Sequence, residues 1–131
     1  MARSNNVYLL RPELETRFGF AQAVRAGDLL FIAGSVSWDR EGTPIDVDDM
    51  AAQIRNCYAD IEKTLAHHGL GFEHLVKETI YTRDMSALIR HAGARLEVFA
   101  GCAAPASTWV EIASLVAPEL LLEIEAVASF K

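Results

Sequence analysis

The sequence predicts an α+β fold: one mixed sheet with two helices on a single face. Three observations lead there. Met50, Ile54, Cys57, Ile61 and Leu65 recur at helical spacing and make the apolar stripe of an amphipathic helix. Strand-length stretches, among them the apolar run Leu29 to Ala33 and His74 to Thr82 with its Leu75, Val76, Ile80 and Tyr81, are bounded by glycine or charged residues. The order is strand, strand, helix, strand, helix, strand, strand, with no repeat, linker or low-complexity segment, so the helices must pack on the sheet that their neighbours form.

In chain order, Val7 to Leu10 is a short strand and Phe18 to Val24 a second. Arg25 to Asp28 is a turn, with Gly27 supplying the permissive backbone and Asp28 local hydrogen bonds. The continuous run Leu29 to Ala33 suits a central strand covered on both faces. Gly34-Ser35 marks a bend or a close backbone approach. Asp39 to Pro44 is polar turn material. Asp46 to Asp49 begin the first helix, where acidic residues oppose the dipole; Lys63, His67 and His68 suit its other end, and Gly69 and Gly71 stop it. His74 to Thr82 is a strand ended by Arg83-Asp84. Ser86 to Phe99 is a second helix with Leu88, Ile89, Leu96 and Phe99 as apolar positions, weakened by Gly93. A loop from Gly101 to Pro105 leads to two final strands parted by Val116-Ala117-Pro118.

The last strand, Leu120 to Ala128, carries Glu123 and Glu125 within an apolar run. Alternation puts both on one face, and an unpaired ionised carboxylate is too costly to bury. That face must meet water, a partner subunit or a ligand. Two helices cover one side of the sheet only, and Glu111, Trp109, Glu123 and Glu125 are expected to share the other. A homo-oligomer would cover it.

At 131 residues the chain is expected to be a single domain, residues 1–131. A formal net charge of −6, with 12 basic residues scattered along the chain, argues against nucleic acid. No secretory leader is expected from the polar start, and no apolar run reaches the ~18 residues of a membrane span. Cys57 sits on the helical stripe and reads as a small buried hydrophobe, Cys102 as a loop thiol. A reduced, cytoplasmic protein without membrane contact is the expectation. His67, His68 and His91 read as surface residues, and four histidines without carboxylates at ligand spacing make no metal site.

The ordered set Val24 to Gly34, Gln53, Lys77 to Met85, Pro105-Ala106 followed by Val110-Glu111, and Glu123-Ile124-Glu125-Ala126 resembles the Rid family, also called YjgF or endoribonuclease L-PSP proteins. The resemblance runs from about Gly19 to the end. It implies a chorismate-mutase-like α+β sandwich, a homotrimer whose sheets form a central barrel, and small-molecule clefts between subunits. The best-known members hydrolyse imines and enamines to a 2-oxoacid and ammonia, with no cofactor and no metal. In them a glutamate positions water, a glycine frames the pocket and an arginine after the Pro-Ala pair clamps the substrate carboxylate. Carried over, the glutamate is Glu123, the glycine Gly34, and the aromatic near the second strand Phe20. The arginine position is Ser107, which has one hydroxyl and no charge. Phe20 replaces a tyrosine, and Ala92 lies near an expected asparagine.

The chain therefore resembles an Arg-less branch, and 2-aminoacrylate is not the expected substrate. Glu123 is the expected catalytic residue, with Phe20, Gly34, Ser35, Ala106, Ser107 and Thr108 in the binding site. Trp38 is the tryptophan better placed to edge a cleft; Glu125 is expected to be structural. Arg17 and Arg95 are the candidates for a replacement cation. A non-catalytic trimer that binds or senses a metabolite is the alternative to a hydrolase.

Overall fold

The computed structural model describes residues 5–131. Its single sheet has six strands: β1 (Val7–Tyr8), β2 (Ala23–Ala26), β3 (Leu29–Ser35), β4 (Leu75–Thr82), β5 (Ala106–Glu111) and β6 (Leu122–Ser129). They lie in the order β1-β2-β3-β6-β4-β5. Only β4 and β5 pair in parallel, so the sheet is mixed as expected. The helices are α1 (Pro12–Phe18), α2 (Met50–His67), α3 (Met85–Arg90) and α4 (Gly93–Val98).

The helix α2 forms as its stripe requires: Met50, Ile54, Cys57, Ile61 and Leu65 are all buried. Asp49 caps it, its carboxylate accepting from the Ala52 N–H at 3.0 Å. The stripe packs on the core-facing residues of β6, Leu122, Ile124, Ala126 and Ala128, together with Leu30, Ile32 and Ile80. Burying each such side chain contributes about 1.5–3 kcal/mol.

Four expectations are corrected. A helix, α1, occupies part of the span assigned to the second strand. Pro12 at its start, Glu13 and Glu15 in its first turn and Gly19 at φ +82° past its end are the physical signals that made it. The second helix is two, broken at His91-Ala92, and Ile89 and Leu96 are 61% and 65% exposed rather than core positions. β3 is covered on one face only: Leu30 and Ile32 are buried while Leu29 and Phe31 stand exposed. Trp109 and Glu111 lie on the helix-bearing face, since Trp109 packs against the core and Glu111 accepts the Met85 N–H at 2.9 Å. The opposite face is left to Glu123 and Glu125, and there Glu125, Phe31, Thr79 and Val127 help line a shallow hollow of about 470 Å³.

Gln53, fully buried on α2, fixes the approach to β6. Its amide donates to the Asp46 and Glu119 carbonyls at 3.2 and 3.1 Å and accepts from the Leu121 N–H at 2.9 Å. Replacing Gln53 by Ala leaves three backbone groups without their partner. Urea unfolding of that variant should show a loss of about 2–4 kcal/mol at an unchanged m-value.

Candidate active site

The site is built on a fault in the sheet. Between the pairs Ile32↔Ala126 and Ser35↔Ile124, β3 advances three residues while β6 advances two. Ala33 and Gly34 thus stand against Glu125 alone, a β-bulge of the kind that re-aims side chains. The absence of a side chain at Gly34 is used directly. A Cβ built there would lie 1.8 Å from the Glu123 Oε2 and 2.8 Å from its Cγ. The Glu123 side chain therefore lies across the glycine, in space that any other residue would fill.

Glu123 closes one side of a pocket of about 360 Å³. Gly34, Ala33 and Val36 of the bulged strand and its exit form the floor. The aromatic wall is Phe18 from the end of α1, Phe20 just beyond it, and Trp38; Val116 reaches in from the loop before β6. The Phe18 and Trp38 rings stack at 6.2 Å between centroids with 30° between planes. Among the described residues lining the pocket, Glu123 alone carries a charge. Burial raises its carboxyl pKa above the usual value, and the neighbouring Glu125 charge adds to that. Glu125, on the same open face, accepts from the Tyr81 hydroxyl, which accounts for it within the chain.

Of the residues singled out in the sequence, Phe20, Gly34 and Glu123 share this pocket, and Trp38 joins them. Ser35 turns inward: it is 2% exposed and its hydroxyl bonds the Gln22 amide and the Ala33 carbonyl. Ala106, Ser107 and Thr108 lie on β5, separated from β6 by β4. Lys77 donates to the Thr108 hydroxyl at 2.8 Å. Ser107 donates to Glu78 Oε2 at 2.6 Å and accepts from the Trp109 indole at 2.8 Å.

Glu78 is fully buried and holds that corner of the core. Arg95 reaches its Oε2 through Nε at 2.7 Å and Nη2 at 2.6 Å, and the Tyr58 hydroxyl donates to Oε1 at 2.7 Å. Burial and the Glu78 charge push the Tyr58 hydroxyl pKa well up, which keeps it a donor. Arg95 is thereby committed inside its own chain and is no free cation. Arg17 is exposed, its guanidinium 5.5 Å from the centre of the Phe18 ring, outside the pocket lining. The sequence reading missed Phe18, Val36 and Val116. Phe18 was recoverable from the end signal of α1; no local signal marks the other two.

A six-stranded mixed sheet backed by helices, with a glutamate laid over a bulge glycine, defines a small α+β protein of YjgF/UK114 type. The chain belongs to that family: the pattern described as endoribonuclease L-PSP matches residues 11–130. The RutC family protein PH0854 of Pyrococcus horikoshii is 33% identical over 109 residues, 83% of this chain and 85% of its own. The crystal structure of Rv2704 from Mycobacterium tuberculosis, described as a YjgF/YER057c/UK114 member, is 32% identical with a TM-score of 0.80, covering 94% of this chain and 97% of that one. A structure of the protein YjgH has a TM-score of 0.83 at 27% identity over 94% and 93% of the two chains. YjgH of Escherichia coli is itself described as a RutC family protein. Among the described residues no helix is long and apolar enough to cross a membrane, and no group of His, Cys, Asp or Glu is disposed to hold a metal ion.

Two outcomes follow for Glu123. Substituting Gly34 by Ala should expel its side chain from the glycine surface while the fold persists, because the displaced atoms are the mobile end of a side chain. An NMR titration of the Glu123 carboxyl would then show its midpoint falling towards 4.5. The second concerns stability. A carboxyl whose native pKa is raised gives its full contribution below its unfolded value, 4.5, and loses it as pH rises through the native value. Glu123→Gln should therefore gain stability relative to the parent protein as pH rises from 4.5 through the raised native value, then stay level. Urea unfolding across that range checks the sign.

Proposed function

We propose that this protein is a small cytoplasmic hydrolase of the Rid type. It adds water to an imine, an enamine or a related reactive metabolite, in a cleft shared by two copies of the chain. Glu123 takes a proton from the attacking water as the oxygen bonds to carbon, and returns a proton to nitrogen as the C–N bond breaks and ammonia leaves. Phe20 walls the cleft, and the Gly34-Ser35 backbone frames the reacting group. The second copy brings its β5, with Ala106, Ser107 and Thr108, to the mouth of the pocket. A homotrimer with its sheets turned inward covers the open face, where Leu29 and Phe31 are 39% and 47% exposed. 2-Aminoacrylate is not the substrate in this reading, since Ser107 is no carboxylate clamp.

The observation that carries the reading is the half-buried Glu123 carboxyl, lying on a bulge glycine in an accessible pocket, with its pKa raised by burial and by Glu125. A second reading, a trimer that binds a metabolite without chemistry, is favoured by the commitment of Ser107 and Arg95 to Glu78. RNA cleavage is not proposed, given the net charge of −6.

The test is to generate imines in situ from a panel of amines and amino acids and follow their loss by semicarbazide trapping. Glu123→Ala should keep the oligomer, by light scattering, and lose at least about 100-fold in any acceleration found. Turnover unaffected by that change would remove Glu123 from the mechanism. No acceleration with any imine, beside saturable ligand binding, would favour the second reading.

A further inference from the structure

We infer that the ligand of this pocket is a cation with an apolar body and no carboxylate: the protonated imine of a simple amine, or the amine itself, rather than an amino-acid imine. This rests on the proposed function for its chemistry but stands on the pocket for its specificity.

The lining sets the class. Phe18, Phe20 and Trp38 present aromatic surface, Val36 and Val116 aliphatic surface, and Glu123 the one charge among the described lining residues. Stacked aromatic rings beside a carboxylate attract an ammonium or iminium group, through the ring quadrupoles and through the carboxylate. A substrate carboxylate would instead meet Glu123 as a like charge in a partly desolvated space. Nothing in the lining offsets that. The volume, about 360 Å³, suits a body of one ring or a short branched chain with its nitrogen and a water.

Three basic residues of the described chain are engaged with other groups. Arg95 is bound to Glu78 on the helix-bearing face. Lys77 donates to the Glu78 carbonyl at 2.9 Å as well as to Thr108. Arg83 is bound to the carbonyls of Pro118 and Leu120. If β5 of a second copy closes the pocket, it therefore brings a hydroxyl-bearing edge rather than a free guanidinium. The Arg17 guanidinium lies 5.5 Å from the centre of the Phe18 ring, outside the pocket lining.

The reaction balances without a co-reactant. An imine RCH=NH and water give the aldehyde RCHO and ammonia. The water oxygen bonds to carbon, both water protons end on nitrogen, and the C–N electron pair leaves with ammonia. Glu123 relays one proton and is unchanged at the end.

A matched pair tests the class: the imine of 2-phenylethylamine, made by an amine oxidase, against the imine of phenylalanine, made by an amino-acid oxidase. Each is trapped with semicarbazide, and binding of 2-phenylethylammonium and phenylalanine is measured by calorimetry. The expected result is acceleration of the carboxylate-free imine at least about tenfold greater than of the imino acid, with 2-phenylethylammonium binding the tighter. Phe18→Leu, at a half-exposed position that should not disturb folding, lowers its affinity by about tenfold, and Arg17→Ala leaves the preference unchanged. Preferential turnover of the imino acid, or its loss in Arg17→Ala, overturns the ligand class and leaves the hydrolase standing. Tight amine binding without hydrolysis of either imine overturns the hydrolase and leaves the ligand class standing. Neither hydrolysis nor a preference for the amine overturns both.

Discussion

The alternation of β6 is the constraint from which the rest follows. This strand is hydrogen-bonded on one side to β3 and on the other to β4, so its pleat is held from both edges. Leu122, Ile124, Ala126 and Ala128 are sealed under α2, and a slip of one residue would put Glu123 and Glu125 into that core. No register but the present one is affordable. The carboxylates therefore face the open side because the aliphatic residues between them cannot. The bulge in β3 then decides what becomes of each. Glu123 finds Gly34, where a missing side chain lets it lie flat against the strand, and Glu125 finds Tyr81.

Much of this was legible in the residues. The α2 stripe, the pleat of β6 and the close approach at Gly34 each rest on a local pattern, since the period of a strand or helix acts over a few residues. Glu123, Gly34 and Phe20 were named through the family resemblance, and Trp38 from its place beside Asp39 in a loop. The failures are of two kinds. Some were available signals passed over: Pro12, Glu13 and Gly19 frame α1, and Gly93 marks where the following helix begins anew. Others depend on partners distant in sequence. Nothing local says that Trp109 and Glu111 point towards the helices, because the parallel pairing of β5 with β4 fixes that face. Val36 and Val116 meet only once the sheet is assembled.

The corner around Glu78 shows how a residue's role is set by its surroundings. Read from the sequence alone, Ser107 was expected to bind ligand and Arg95 was a candidate cation. Together with Tyr58 they satisfy one buried carboxylate, the Trp109 indole donating in turn to Ser107, and a buried ion pair that lost a member would leave the other uncompensated, at a cost of about 3–5 kcal/mol. The same residues cannot serve both that carboxylate and a ligand's. Ser107 and the Arg95 guanidinium are thus both given internal work, and the described lining of the pocket is left to apolar surface and Glu123.

The strand order has a bearing on how the polypeptide reaches this state. β6 is synthesised last of the six strands yet lies between β3 and β4, which are therefore bridged only when it arrives. Until then two strands expose unpaired edges to the crowded surroundings of a ribosome, where edge-to-edge association is the characteristic hazard. The segment that carries Glu123 is also the keystone of the sheet, so a nascent chain that stalls before residue 122 lacks both that carboxylate and the strand that joins its two halves.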